Sequence, residues 1–422
     1  LEKKFLIRAF GRVERIKMKR VVITGMGAVT PLGGTVAETV QALDEGRHAI
    51  RRSPELETCK GLRSWLAAPA EMKNEKLIPR QNRRSMSRMS IFAAQAAHEA
   101  SQQAGYDPQQ FGPGRVGCVA GSTTPSPMTI HSIYETFIPT RDFGLIQAMQ
   151  FFQSMSHTVA MNLAQYLGLK GRFLSTNAAC ASGLQAIGTA YELIRDGSQD
   201  AIFCGGAEEY HSTVTGVFDM LLAASTKYND APDQASRPFD AARDGLVCGE
   251  GAGILFLEER EHALARGATI YGEILGFDTC SGGTHISESN RESIAQCMRQ
   301  ALVNANCSAA DVGYVSAHAT ATLQGDGEEA AAIHAVLGEG VPVSSLKGHL
   351  GHTLGASGPI EMIATIAGLR NKRIYPTRNL TCVAEECKGI RHVTGIEPSE
   401  VTCFMKNSFA FGGINASLVC RV

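Results

Sequence analysis

No stretch of this 422-residue chain reaches the ~18 consecutive apolar residues that a membrane-spanning helix needs, so no segment reads as a bilayer span. There is no CxxC pair, and the twelve cysteines are scattered among apolar segments, as at Cys118, Cys204 and Cys403. That pattern excludes the disulfide framework of a small secreted domain and points to reduced thiols in a cytoplasmic protein. His349 and His352 lie in a Gly-rich run with no neighbouring Cys or carboxylate, so no structural zinc is expected and no metal is assigned. Charge of one sign is also missing: 40 Lys and Arg against 41 Asp and Glu leave a formal net charge of −1. Nothing global therefore favours nucleic acid or a membrane surface, and an acidic partner would have to be recognised by a local patch. Low-complexity linkers and short-period repeats are absent too, which favours a compact body over tethered domains.

What is present is ample core material, with 44% hydrophobic residues and 44 glycines, enough for one large α/β unit or two domains. Arg20-Val-Val-Ile-Thr-Gly-Met-Gly reads as a buried strand running into a glycine turn, and Thr35 to Glu45 as a helix. Apolar runs recur at 116–120, 173–176, 201–204, 254–257, 270–276, 312–317 and 403–405. Longer segments of helical spacing, such as Ile91–Ala104, separate them, which implies a sheet core covered by helices. Lys227–Gln234 and Cys280–Ser289 read as loops. The first nineteen residues are basic and partly apolar (Lys3, Lys4, Phe5, Leu6, Arg8, Arg12, Arg15) and superficially similar to a transit peptide or surface amphipathic helix. Because Met18 directly precedes the first strand, residues 1–18 are expected to lie outside the fold.

Cys180 stands in Asn177-Ala-Ala-Cys-Ala-Ser-Gly, between the strand at 173–176 and a stretch from Ala181 to Arg195 whose Leu184, Ile187, Tyr191 and Ile194 recur at helical spacing. A thiol at a helix N-terminus meets the positive end of the dipole, which favours thiolate. Small neighbours leave room for a substrate. One cysteine among twelve is more often a packed core thiol, so the position alone leaves both readings open.

Two histidines add context. His318 follows the apolar run Val312–Ala317 and precedes Gln324, Asp326 and Glu329. Lys347 and His352 lie in Ser344-Ser-Leu-Lys-Gly-His-Leu-Gly-His-Thr-Leu-Gly, ahead of a helical segment. Strand ends and Gly-rich turns face pockets readily, although a lone histidine is usually a surface or core residue.

Together, Thr176–Gly188, His318–Glu329, Lys347–Gly358 and Asn407–Asn415 resemble the signature blocks of the β-ketoacyl-[acyl-carrier-protein] synthases, condensing enzymes of the thiolase superfamily. The resemblance runs from about Lys19 to the C-terminus. Ala223-Ala-Ser-Thr-Lys-Tyr-Asn-Asp and Ala235-Ser-Arg-Pro-Phe-Asp are similar to the elongating synthase I/II group. The resemblance implies a thiolase fold, two βαβαβαββ halves in an αβαβα sandwich. The nucleophile would come from residues 19–265 and both histidines from residues 266–422.

It further implies decarboxylative condensation of malonyl-carrier protein with an acyl chain on Cys180, which extends the chain by two carbons. His318 and His352 would stabilise the developing enolate as neutral donors. Lys347 would support the site beside an acidic residue at Glu329, with Asp326 also supporting. The Cys180 and Phe411 amides would form an oxyanion hole, Phe409 and Phe411 a gate, and Thr320 and Thr322 a pantetheine contact. The implied partner is an acidic acyl carrier protein docking at Arg80, Arg83 and Arg84, and the implied assembly a homodimer or a heterodimer with a chain-length factor. No cofactor is implied.

The sequence departs from the family where it reads His318-Ala-Thr-Ala-Thr, Phe409-Ala-Phe and Ile414, with Ala319 and Ala410 standing where Gly is usual. These departures place the substrate range outside the usual pattern and are compatible with an aryl-polyene or type II polyketide synthase as well as a fatty-acid enzyme. A non-catalytic chain-length-factor-like or scaffolding subunit is the alternative; chain-length factors lack the Cys that this chain keeps.

Overall fold

The computed structural model describes residues 18–283 and 289–422. Most of the basic N-terminal stretch, and the middle of the expected loop at 280–289, lie outside the described residues. Eleven strands among those described form one mixed sheet. In chain order they are β1 (Val21–Val29), β2 (Val116–Gly121), β3 (Phe173–Leu174), β4 (Ala201–Glu208), β5 (Gly251–Glu259) and β6 (Gly272–Ser281), then β7 (Tyr314–Ser316), β8 (Pro342–Ser344), β9 (Arg391–His392), β10 (Cys403–Ala410) and β11 (Ile414–Arg421). Their spatial order is β9, β8, β7, β10, β11, β6, β1, β5, β4, β2, β3. The centre, where β1 pairs with β5 and β6, is antiparallel. Both wings end in parallel strands.

Seven helices matter here: α1 (Arg88–Ala104), α2 (Pro127–Thr140), α3 (Ser182–Arg195), α4 (Ser212–Met220), α5 (Arg291–Ala305), α6 (Leu323–Leu337) and α7 (Ser357–Arg370). Helices α3 and α7 form a middle layer. Leu184, Ile187, Met362 and Ile366 pack in one cluster with Ile202 and Leu257 from one wing and Phe404 and Leu418 from the other. The outer face of the first wing is covered by α1, and that of the second by α5 and α6. This makes five layers, helix, sheet, helix, sheet, helix. A helix covered on every side has no solvent face to keep polar, and twelve of the fourteen residues of α7 are buried. Each large apolar side chain fully removed from water there contributes ~1.5–3 kcal/mol.

The glycine turn expected after the first strand is not one. Strand β1 continues to Val29, and Gly25 and Gly27 lie inside it. A Cβ at either position would stand 2.2 Å from the Ala100 carbonyl oxygen or 1.9 Å from that of Ala96. The glycines thus permit close approach of the Ala-rich α1 rather than a reversal of the chain. The predicted helix at 35–45 does form, as Val36–Asp44, with Thr35 accepting the Glu38 N–H as its cap.

Candidate active site

The residues singled out in the sequence converge at the C-terminal ends of the parallel strands, where α/β sheets place their crevices. Cys180 follows β3, His318 follows β7 and Lys347 follows β8. The Cys180 turn is built tightly. Ala179 takes a left-handed φ of 46°, and Ser182 Oγ accepts the Ala178 N–H at 2.8 Å while donating to the Ala179 carbonyl at 2.7 Å. His352 is held through its backbone, its N–H donating to Val247 and its carbonyl accepting from Gly249.

Side chains then meet around a cavity of about 50 Å³ lined by Cys180, His318, Thr320, His352, Phe409 and Phe411, among others. His352 Nε2 lies 2.9 Å from Cys180 Sγ. The two imidazoles stand edge to face with centroids 5.3 Å apart, and Phe409 flanks His318 at 6.1 Å. The Nδ1 atoms of both rings are buried without a hydrogen-bond partner.

Electrostatics contradict one expectation. Helix α3 begins at Ser182, past Cys180, and burial pushes the Cys180 thiol up to about 12, with Lys347 pulling only partly the other way. Desolvation outweighs the helix dipole, so the resting group is a thiol rather than the thiolate read from its turn position. Burial, and next the charge of Lys347, hold both histidines well below the usual imidazole range. The contact at 2.9 Å is therefore between a neutral thiol and a neutral ring.

A second expectation also changes. Lys347 does not pair with Glu329. Its Nζ donates to Glu361 Oε1 at 2.6 Å, and Lys406 Nζ donates to Glu361 Oε2 at 2.5 Å. Both lysines are fully buried and Glu361 nearly so. Glu329 is occupied elsewhere, accepting the N–H groups of His318 (2.8 Å) and Ala319 (2.6 Å) and, at 3.3 Å, the Asn407 side chain. Asp326 braces the next turn by accepting from Phe239, Thr320 and Ala321, and burial raises its carboxyl to about 7. Glu329 and Asp326 thus fix the loop that carries His318 and Thr320, whereas one carboxylate shared by two lysines leaves a net positive charge behind the site.

Glu361 and Lys406 were missed in the sequence. The signal was there, since a charged residue inside Pro359-Ile-Glu-Met-Ile or Cys403-Phe-Met-Lys-Asn cannot be buried without a partner. Arg243 was missed as well; it donates to the Thr322 and Leu323 carbonyls and to Glu386.

Thr320 Oγ1 and Thr322 Oγ1 lie 3.1 Å apart on the cavity wall. Phe411 is partly exposed and stacks on Phe218. Ala410 lies in the ladder of β10, paired with Ile414, so a side chain there is unstrained; the positive φ angles fall at Gly412 and Gly413. Arg80 and Arg84 are exposed, but Arg83 is engaged by Glu75 at 3.3 Å and by the Ile78 carbonyl. None of the three lines the Cys180 cavity.

Two groups among the described residues have donor atoms within 4.8 Å of one another, as a metal would need: Cys180, His318 and His352, and separately Asp278, Cys280 and Cys297. A cation at the first would stand against the lysine pair. No helix described is long and apolar enough to cross a membrane.

Two family profiles match the chain, "Beta-ketoacyl synthase, N-terminal domain" over residues 18–263 and "Beta-ketoacyl synthase, C-terminal domain" over 271–381. The 3-oxoacyl-[acyl-carrier-protein] synthase 1 of Escherichia coli is 38% identical over 406 residues, covering 96% of this chain and 99% of that protein. A crystal structure of a β-ketoacyl synthase from Burkholderia phymatum superposes with a TM-score of 0.92 at 43% identity, covering 96% and 99% of the two chains. A further solved structure, a type II PKS acyl-carrier protein in complex with its ketosynthase bound to the hexaketide, matches with a TM-score of 0.87 at 28% identity, covering 96% and 100%.

Proposed function

This chain belongs to the β-ketoacyl synthase family, and from that premise we propose that Cys180, His318, His352 and Lys347 carry its condensation chemistry. It is an acyltransferase of the condensing class, a 3-oxoacyl-[acyl-carrier-protein] synthase. The observation that supports the assignment is the 2.9 Å contact between Cys180 Sγ and His352 Nε2 in a cavity shared with His318.

In the first half-reaction sulfur attacks the carrier thioester with His352 Nε2 beside it, the acyl group moves from the carrier sulfur to Cys180, and the Cys180 proton passes to the departing carrier thiolate. Malonyl-carrier protein then loses CO₂, and the electron pair released from the broken C–C bond moves into the thioester as an enolate. Neutral N–H groups of His318 and His352 meet that oxygen. They suit the task because burial keeps both rings uncharged, and preorganised donors in a dry site act at full strength. The enolate carbon attacks the acyl-Cys180 carbonyl with the Cys180 and Phe411 amides facing its oxygen, and the Cys180 thiolate leaves and takes a proton from water to restore the thiol.

The Lys347–Glu361–Lys406 group supplies fixed positive charge and positions the surrounding loops. Thr320 and Thr322 take the pantetheine arm, and Phe409 and Phe411 gate it. Arg80 and Arg84 offer the carrier its basic contact, with Arg83 contributing less because of Glu75. The substrates ride on acyl carrier protein with no cofactor, the enzyme is cytoplasmic, and it works as a homodimer or with a chain-length factor. Residues 19–265 and 266–422 form its two thiolase-like halves. The pathway is fatty-acid or polyketide synthesis.

The test is intact-mass analysis after incubation with acyl-carrier protein. An acyl adduct is expected on the wild type and absent from Cys180→Ala; an adduct that persists in the variant removes Cys180 from its role.

A further inference from the structure

Two thiols that the condensation chemistry does not use meet where α5 packs on β6. Cys280 lies near the end of β6 and is half-buried, Cys297 lies in α5 and is fully buried, and neither lines the Cys180 cavity. Each sulfur reaches into the other's element. Cys280 Sγ stands 3.5 Å from the Ser293 carbonyl oxygen, one turn before Cys297. Cys297 Sγ stands 3.3 Å from the Asp278 carbonyl oxygen, two residues before Cys280. The two sulfurs lie within 4.8 Å of each other. A disulfide holds them at about 2 Å, which leaves a gap of at most ~3 Å that rotation of the two side chains between staggered positions covers.

The pair is chemically unequal. The Cys297 thiol donates to Cys280, and the Asn415 amide reaches Cys280 Sγ at 3.9 Å. These donors, Cys297 above all, hold the Cys280 thiol below the ordinary thiol range against its burial and the Asp278 charge. Donating to Cys280 pushes Cys297 up, and burial pushes it further. A thiolate partly open to solvent beside a buried, protonated thiol is the arrangement in which the first sulfur is oxidised and the second resolves it.

We propose that Cys280 and Cys297 form a peroxide-oxidisable dithiol, a modification site separate from Cys180, in which Cys280 reacts first and Cys297 closes the disulfide. The Cys280 sulfur attacks one oxygen of hydrogen peroxide, the O–O bond breaks, and the departing hydroxide takes a proton to become water. The Cys297 sulfur then attacks the sulfenic sulfur of Cys280, the S–O bond breaks, and the second hydroxide leaves with the Cys297 proton. Peroxide gains two electrons and each sulfur loses one. The new bond ties α5 to β6 beside Asn415, which pairs with Cys280 at the foot of the β10–β11 hairpin that carries Phe411.

The experiment treats the full-length wild type with hydrogen peroxide and maps disulfides in non-reduced digests by mass spectrometry. A Cys280–Cys297 linked peptide, lighter by two hydrogens and reversed by dithiothreitol, is expected. Cys297→Ser removes the resolving thiol and is expected to raise dimedone labelling of Cys280 about 10-fold over wild type, whereas Cys280→Ser should leave Cys297 unlabelled. A wild type without the linked peptide overturns the proposal without recourse to any variant. So does dimedone on Cys297 in place of Cys280, or linkage of either sulfur to a third cysteine. Asp278 stands within the same 4.8 Å, so a divalent metal that shields both thiols until EDTA removes it overturns the proposal as well.

Discussion

Two histidine pairs lie on opposite sides of Phe218, and they do different things with the same side chain. His318 and His352 are sealed among Cys180, Phe409 and two buried lysines, and they leave both Nδ1 atoms unpartnered. His131 and His211 bond directly to each other, with centroids 5.0 Å apart, and both line a large, mostly apolar space. The first pair is adjacent to the thiol and governed by desolvation and fixed charge. The second lines a different cavity, where His211 Nδ1 meets both the Thr213 N–H and the Thr213 hydroxyl. What decides the role of an imidazole here is its surroundings, not its type.

The sharpest way to break the comparison is to measure malonyl-carrier decarboxylation in a Cys180→Gln background, where no acyl transfer competes. His318→Ala or His352→Ala should lower that rate by about 10²- to 10³-fold, the cost of one lost oxyanion donor, while His211→Ala should alter it by less than about 2-fold, within the scatter of substitutions outside such sites. An equal loss at all three positions would erase the distinction.

The ion group behind the first pair has no counterpart behind the second. Glu361→Gln leaves Lys347 and Lys406 buried without their shared carboxylate, and a loss of about 3–5 kcal/mol in stability is expected. Denaturant unfolding of wild type and variant checks it, and a change below 1 kcal/mol, against that ~3–5 kcal/mol, would show that the lysines reorganise or deprotonate at little cost.

A smaller effect lies in the pH response of Cys180. Its thiol is raised to about 12 by burial and drawn down by Lys347, so the reactive thiolate grows about tenfold per pH unit well above neutrality. Iodoacetamide labelling should rise without a plateau up to pH 10, a value below that ~12. Lys347→Met removes the lowering charge and should slow labelling further at every pH. A plateau near pH 8, close to the ~8.5 of a free thiol, would mean that the helix dipole prevails over burial after all.

Much of the proposed catalytic group was legible in the chain. Cys180, His318, Lys347 and His352 each follow an apolar run or stand in a Gly-rich turn, positions that place side chains at the ends of strands. Their roles came with the family resemblance rather than with spacing. The partner of Lys347 was misread because Glu329 is near in sequence to His318, whereas Glu361 reaches the lysine from the middle helix layer. The thiolate reading failed for a related reason: a turn position reports the dipole but not the depth of burial. Gly25 and Gly27 read as a turn because the Ala-rich helix that needs them is about seventy residues further along the chain.

From the amino-acid order alone came the alternation of strands and helices, the absence of a bilayer-spanning run, and the order of Cys180 and the two histidines along the chain. Those are local or pattern properties, carried by periodicity and by motifs. The tertiary structure decided which charges pair, how strongly water is excluded from Cys180, and that His131 and His211, eighty residues apart, share one cavity wall. Burial and long-range pairing depend on elements distant in sequence, and no local pattern encodes them.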